Sequence, residues 1–327
     1  MKIDKLDFIF SPTDLYKINI CFDKSNNDFY IKRDDLTGLA MGGNKARKLE
    51  YFIQDALDQE ADYIVTYGST QSNHCAMTAA AASKLNLPCL LVLAKPDKEP
   101  TYTGNFFLYD LFDAEIVYTS TEEVSETIDE EIEKLSNKGY NPYFIYGGGH
   151  GNLGTHAYVE AYQEIISQAE DLEVNFDYIF FASGTGTTQA GLIIGKELQG
   201  GSEEIIGISI ARDKQRGTDV ISDSIKDYCN QFNIEISNIE RKINFIDSYI
   251  GEGYGIANQE VLKTIKLVAK KEGILLDPTY TGKAFSGMLD YIEKNKIKDK
   301  NILFIHTGGT SILLDNTEQF KEIEERI

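Results

Sequence analysis

Short apolar runs recur along this chain, several of them ending in a turn rich in glycine and hydroxyl residues and most followed by a segment of helical period. Residues 28–33, 63–67, 89–93, 115–118, 143–146, 178–182, 205–210 and 301–306 read as strands from their length and their β-branched and aromatic content. Between and around them, apolar residues at helical spacing predict helices over 45–59, 73–85, 104–112, 122–138, 156–167, 187–198, 258–271 and 283–294. Strands separated by whole helices cannot close as hairpins, so the sheets must be mostly parallel and covered on both faces. The run breaks near the glycines of 147–154. That predicts an α/β fold of two lobes, each an open, mostly parallel twisted sheet with helices on both faces, and a cleft between them. With 327 residues the chain can bury cores for both.

Composition narrows the partners. A formal net charge of −20 repels phosphate backbones and anionic membrane surfaces, which argues against nucleic acid and membrane as partners. An anionic ligand would have to be held by local N–H dipoles and a few basic side chains. Cys21, Cys75, Cys89 and Cys229 are widely separated, with no CxxC pair and no clustered histidines, so neither a metal site nor a disulfide framework is expected. Residues 1–20 alternate charged and apolar positions without a sustained apolar run, and no stretch is apolar enough for a membrane span. A cytoplasmic protein with reduced, buried thiols is the expectation.

In open α/β sheets, ligands bind beyond the carboxyl ends of strands, where the next helix begins. Four segments have that character. Ser183-Gly184-Thr185-Gly186-Thr187-Thr188-Gln189 follows an apolar strand and opens a helix, so glycine backbone, hydroxyls and helix N–H groups could cup a phosphate. It is not a dinucleotide fingerprint, because Gln189 stands where the last glycine would be, and no P-loop is present. Gly68-Ser69-Thr70-Gln71-Ser72-Asn73-His74 begins the alanine-rich helix, with Ser72 or Asn73 as its N-cap and free N–H groups suited to a carboxylate. The others are His306-Thr307-Gly308-Gly309-Thr310 and Asp277-Pro278-Thr279-Tyr280-Thr281-Gly282-Lys283.

Lys45, in Gly42-Gly43-Asn44-Lys45, adds a nucleophile at a helix start. The positive end of the helix dipole and partial burial both disfavour its ammonium form. A lysine kept neutral is suited to a Schiff base with a carbonyl cofactor such as pyridoxal phosphate.

In this order the pieces resemble pyridoxal-phosphate enzymes of the tryptophan-synthase-β type (fold type II). Within them they resemble the D-cysteine desulfhydrase and 1-aminocyclopropane-1-carboxylate deaminase family. The resemblance covers nearly the whole chain and runs from Tyr30-Ile31-Lys32-Arg33-Asp34-Asp35-Leu36-Thr37-Gly38 through Gly42-Gly43-Asn44-Lys45 and Gln71-Ser72-Asn73-His74. It continues through Gly104-Asn105 with Asp110-Leu111-Phe112, the phosphate loop and Asp277 to Lys283, ending at His306-Thr307-Gly308-Gly309.

The resemblance implies pyridoxal 5'-phosphate as cofactor, with Lys45 as the Schiff-base lysine and the base that moves the α-proton. It implies that Asn73 bonds the cofactor's phenolic oxygen, that Gly184, Thr185, Gly186 and Thr187 cradle the phosphate, and that Thr307 faces the pyridine nitrogen. It implies that Ser72, Asn73 and His74 hold the substrate carboxylate and that Tyr254 and Tyr280 act on the substrate side. A larger phosphate-binding domain over 1–44 and 155–327, a smaller one over 45–154 and a homodimer follow from the same likeness. His150 and His156 receive no role, and a surface or helix-face position is expected for both.

Deaminase relatives are expected to carry Glu after the second tyrosine, where this chain has Thr281, and His74 also matches the desulfhydrase side. Elimination from D-cysteine, giving pyruvate, hydrogen sulfide and ammonia, is therefore favoured over cyclopropane opening. Cys75-Ala76-Met77 and Gly149-His150-Gly151-Asn152 depart from the family pattern and leave cysteate or D-serine open. A non-catalytic cofactor- or amino-acid-binding protein is the reading from another class. A nicotinamide dehydrogenase is set aside by the broken fingerprint.

Overall fold

The computed structural model describes residues 3–19, 26–96 and 100–322; Cys21 lies outside them. Among the described residues, ten strands form two sheets. The larger has the order β1 (Leu15–Ile18), β2 (Asp28–Lys32), β10 (Asn301–Ile305), β7 (Tyr178–Ser183), β8 (Glu204–Ser209), β9 (Asn244–Ile246). Only the β1–β2 pair in it is antiparallel, with Leu15 opposite Lys32. The smaller sheet, β5 (Glu115–Thr119), β4 (Cys89–Ala94), β3 (Tyr63–Gly68), β6 (Pro142–Ile145), is parallel throughout. The expected pair of α/β lobes is what the chain forms.

Helices connect the strands: α1 (Asn44–Asp58), α2 (Asn73–Lys84), α3 (Gly104–Leu111), α4 (Val124–Asn137), α5 (Asn152–Asp171) and α6 (Thr187–Gln199). They continue with α7 (Lys214–Phe232), α8 (Ile239–Lys242), α9 (Gln259–Glu272), α10 (Thr281–Lys294) and α11 (Thr310–Asp315). The sequence pattern did not mark α7, and it started α5 four residues late at 156. Gly217 and the many polar residues of α7 mask a stripe formed by Ile221, Ile225, Tyr228 and Cys229, all of it buried.

Each sheet has its own apolar core. Leu49, Phe52, Ile53 and Ala56 of α1 pack with the alanines of α2 beside Ile64 and Leu91 of the smaller sheet. On one face of the larger sheet, Ile179, Phe181, Leu303 and Ile305 meet α5, α6 and α7. On its other face Phe180, Ile206 and Phe304 meet α9 and α10. Helices α5 and α6 approach closely because Gly191 and Gly195 face Tyr158 and Tyr162; a Cβ on Gly191 would stand 2.3 Å from the Thr155 carbonyl oxygen.

A buried ionic cluster fixes the start of α1. Arg47 forms a two-pronged contact with Asp34, at 3.0 and 2.8 Å, and another with Glu164 of α5, at 2.9 and 2.8 Å. Tyr158 donates to Asp34 at 2.6 Å, and Lys32 reaches Glu164 and the Thr13 carbonyl. Burial alone would raise the Asp34 carboxyl, but the Arg47 guanidinium holds it below its ordinary range. Such a cluster stays intact only while every member is paired.

Candidate active site

The carboxyl ends of β3, β7, β8 and β10 converge on a cavity of about 310 Å³, large enough for a small organic ligand. Lys45, Ser72, Asn73, His74, Gly184, Thr185, Gly186, Tyr254, Tyr280 and Thr307 all line it. Thr187 is the exception among the expected residues. It is fully buried, and its hydroxyl accepts from Lys48 Nζ at 2.6 Å. The hydroxyl that reaches the wall at this helix start belongs to Thr188, which also accepts from Asn44 Nδ2 at 3.1 Å.

Lys45 is placed by contact between the two halves of the chain. Gly43 bridges Gly308, and Asn44 N–H donates to the Thr307 carbonyl at 3.1 Å. A Cβ on Gly43 would stand 2.8 Å from that same carbonyl oxygen, so only glycine allows the approach. Burial pushes the Lys45 amine down to about 8, with contact from Lys48 pushing partly back up. Desolvation is thus the main cause of the fall, where the helix dipole was expected to weigh equally.

Lys48 was missed at the level of sequence. One helical turn beyond Lys45, it is buried and donates to Thr187 and, at 3.3 Å, to the Gly148 carbonyl. Burial and the Lys45 charge hold its amine well below the lysine range. Its i,i+3 spacing from Lys45 was the available signal.

Asn73 is oriented by its neighbours. Its Oδ1 accepts from Asn105 Nδ2 at 2.7 Å, which leaves the Nδ2 amide to donate elsewhere. Asn105 is itself tied to the Gln71 carbonyl at 2.9 Å and to Ser311 at 2.6 Å. Ser72 caps α2 by accepting from Cys75 N–H at 3.2 Å.

His74 differs from the expected carboxylate holder. Thr66 Oγ1 donates its one proton to the Ile145 carbonyl at 2.7 Å, so at 2.9 Å from His74 Nε2 it must accept. The ring therefore carries its proton on Nε2 and turns a bare, buried Nδ1 lone pair to its surroundings. Burial, then the charges of Lys45 and Lys48, hold it well below the histidine range, so it stays neutral. Its side chain offers an acceptor, and the side-chain donors on this wall are Ser72 and Asn73.

The remaining wall carries no carboxylate among the described residues. Thr281 is fully buried outside the cavity: its hydroxyl donates to Asp277 Oδ1 at 2.7 Å and accepts from Asp277 N–H at 2.9 Å. Tyr254, 44% exposed as a residue, meets Tyr280 hydroxyl to hydroxyl; desolvation at those hydroxyls raises both above the ordinary tyrosine value, so both keep their protons. Arg212 also reaches the wall, and its buried Nη1 finds no partner among the described residues. His156, expected at a surface or helix face, is a core residue of α5 bonded to Tyr228 at 2.7 Å. His150 is half-buried behind Thr185.

Comparison with known proteins decides the family. The model of the family described as pyridoxal-phosphate dependent enzyme matches residues 6–308. The chain belongs to that family. A D-cysteine desulfhydrase of Yersinia pestis (strain Pestoides F) is 39% identical over 315 residues, covering 94% of each chain. A crystal structure described as that of an ACC deaminase homologue superposes with a TM-score of 0.88 at 35% identity, over 98% of this chain and 97% of the other. A hydrogen sulfide-producing enzyme of Fusobacterium nucleatum shares the fold at 19% identity, with a TM-score of 0.65 over 93% and 97% of the two chains.

For a pyridoxal-phosphate dependent enzyme, the cavity's chemistry suits the cofactor. An unpaired guanidinium nitrogen, the depressed Lys45 amine and a glycine-lined helix start, in a wall without carboxylates, are costly unless an anion joins them. There is room for it: a Cβ on Gly184 would meet nothing closer than 3.7 Å.

Proposed function

We propose that this protein catalyses β-elimination from a small amino acid, with D-cysteine and water giving pyruvate, hydrogen sulfide and ammonia. Thr281 carries the choice of reaction. Opening a cyclopropane that lacks an α-proton needs a strongly electron-withdrawing ring, hence a carboxylate to protonate its nitrogen. Thr281, where that carboxylate is expected, is committed to Asp277 at both its donor and its acceptor. The likeness to a D-cysteine desulfhydrase over 94% of the chain supports the same reading.

In this reading the Gly184–Gly186 turn and the first N–H groups of α6 hold the phosphate, with Lys48 behind them, and Asn73 Nδ2 donates to the phenolic oxygen. Thr307 faces the ring nitrogen as a neutral hydroxyl. Bound there, the cofactor supplies an electron sink for the pair left on Cα. Lys45, with its amine at about 8, holds the cofactor and takes the α-proton near neutral pH. Ser72 and Asn73 donate to the substrate carboxylate, and His74 completes that wall as an acceptor. Tyr254 and Tyr280 keep their protons and can give one to the departing sulfide.

We further propose a larger phosphate-binding domain over 1–44 and 155–327, a smaller substrate domain over 45–154, and a homodimer working in the cytoplasm. No described helix is long and apolar enough to cross a membrane.

Sulfide and keto-acid release across D- and L-cysteine, D-serine, cysteate and 1-aminocyclopropane-1-carboxylate tests the proposal. D-Cysteine should give the highest kcat/KM. A higher kcat/KM for the cyclopropane substrate would refute the Thr281 argument, and inactivity across the panel with cofactor bound would favour a binding protein.

A further inference from the structure

Tyr254 is carried by a turn that has little else to hold it. Gly251, Gly253 and Gly255 adopt φ of +70°, +148° and +78°, and no atom lies within 4 Å of where a Cβ would stand on any of them. The turn's own backbone bonds are long, 3.3 Å from Ile250 N–H to Asp247 and 3.4 Å from Ile256 N–H to Gly253. A segment so rich in unencumbered glycine has much conformational freedom to lose, yet its tyrosine sits hydroxyl to hydroxyl with Tyr280.

The restraint comes from α10. Lys283 is 1% exposed, and its ammonium donates to the Ile250 carbonyl at 2.6 Å and to the Gly253 carbonyl at 2.6 Å. No carboxylate among the described residues pairs with it; Asp277 acts on it only at a distance. Burying an ammonium is costly, so a buried lysine committed to two loop carbonyls must contribute elsewhere. Its position supplies one. Lys283 lies three residues after Tyr280, which precedes the first turn of α10, so the start of one helix sets both tyrosines. The Asp277 carboxylate fixes that start by accepting from the N–H groups of Thr279, Tyr280 and Thr281, each at 2.8 Å.

We propose that Lys283 is the positioning residue for Tyr254: its ammonium pins both shoulders of the 250–253 turn and so presents the Tyr254 hydroxyl beside Tyr280 at the substrate side of the cavity. This rests on the elimination reading for what the tyrosines do there. The placement of the turn is independent of it.

The test uses the cofactor-loaded protein with Lys283→Met, Lys283→Arg and Tyr254→Phe, singly and combined. Lys283→Met should lower kcat/KM for D-cysteine by about 30-fold, the scale of a misplaced catalytic group. Lys283→Arg, which can still donate to both carbonyls, should recover most of it. In the Tyr254→Phe background Lys283→Met should cost no more than about twofold, since the two changes act through one group. Hydrogen exchange at amides 250–256 should quicken in Lys283→Met while helices α9 and α10 keep their protection. An equal loss in both backgrounds, or unchanged exchange in the turn, overturns the proposal. If Lys283→Met does not fold, Lys283→Gln is judged by the same two readouts. Should the wild-type protein release no sulfide from any amino acid, the elimination reading fails, and the exchange comparison alone still decides the role of Lys283.

Discussion

Replacing Lys45 by methionine should make the cofactor-free protein more stable, and by an amount that depends on pH. Burial lowers this amine from its ordinary 10.5 to about 8. Below pH 8 both folded and unfolded chains carry the charge, and the folded one bears the whole desolvation cost, roughly 3 kcal/mol for such a fall. Between pH 8 and 10.5 the folded lysine is neutral while the unfolded one still binds its proton, so the penalty shrinks as pH rises; above 10.5 it is gone. Methionine fills most of the same space without the charge, and its removal also relieves Lys48. Urea unfolding of both apoproteins from about pH 7 to about pH 10.5 should therefore give the variant an advantage of up to about 3 kcal/mol that fades across the range. A gap that does not change with pH, or a variant less stable than wild type at neutral pH, would refute the desolvated-lysine argument.

Other perturbations read the surrounding parts. Lys48→Met removes the donor that holds Thr187 behind the phosphate turn and should weaken binding of the phosphorylated cofactor about 10-fold, the worth of one ordinary hydrogen bond, while leaving unphosphorylated pyridoxal unaffected in absorbance titrations. Arg47→Met strands the buried Asp34 and should cost about 3–5 kcal/mol in urea unfolding. The His156 ring 3.7 Å away, the hydrogen bond from Tyr51 and the nearby Lys5 ammonium hold the Glu160 carboxyl at about 2. Its contribution is present above its ordinary 4.5 and is lost as pH falls toward 2, so Glu160→Gln should flatten the acid limb of the melting curve.

The sequence exposed those parts of the fold that repeat a simple period. Leu49, Phe52, Ile53 and Ala56 mark α1 because a single face of it is apolar, and Ile302 to Ile305 mark a central strand because both faces are. Helix α7 stayed hidden behind Gly217 and its polar residues, and the burial of His156 stayed hidden with it, since Tyr228 on α7 is its partner. β9, three residues long, is too short to show a period.

At the site, strand-end turns and the helix-start lysine were legible because each is a local pattern. What depended on rotation or on distant partners was not. One step around the first turn of α6 exchanges Thr187 for Thr188 at the wall. The acceptor character of His74 is set by Ile145, far along the chain, through Thr66.

Lys45, which reaches the cavity, and not its more deeply buried neighbour Lys48, should hold the cofactor. Borohydride reduction of the cofactor-loaded protein, followed by digestion and mass spectrometry, tests it directly. The visible absorbance band should disappear and a single pyridoxyl phosphate adduct should form on Lys45. An adduct on Lys48 or on any other lysine, or no adduct on a protein that retains the cofactor, would contradict it.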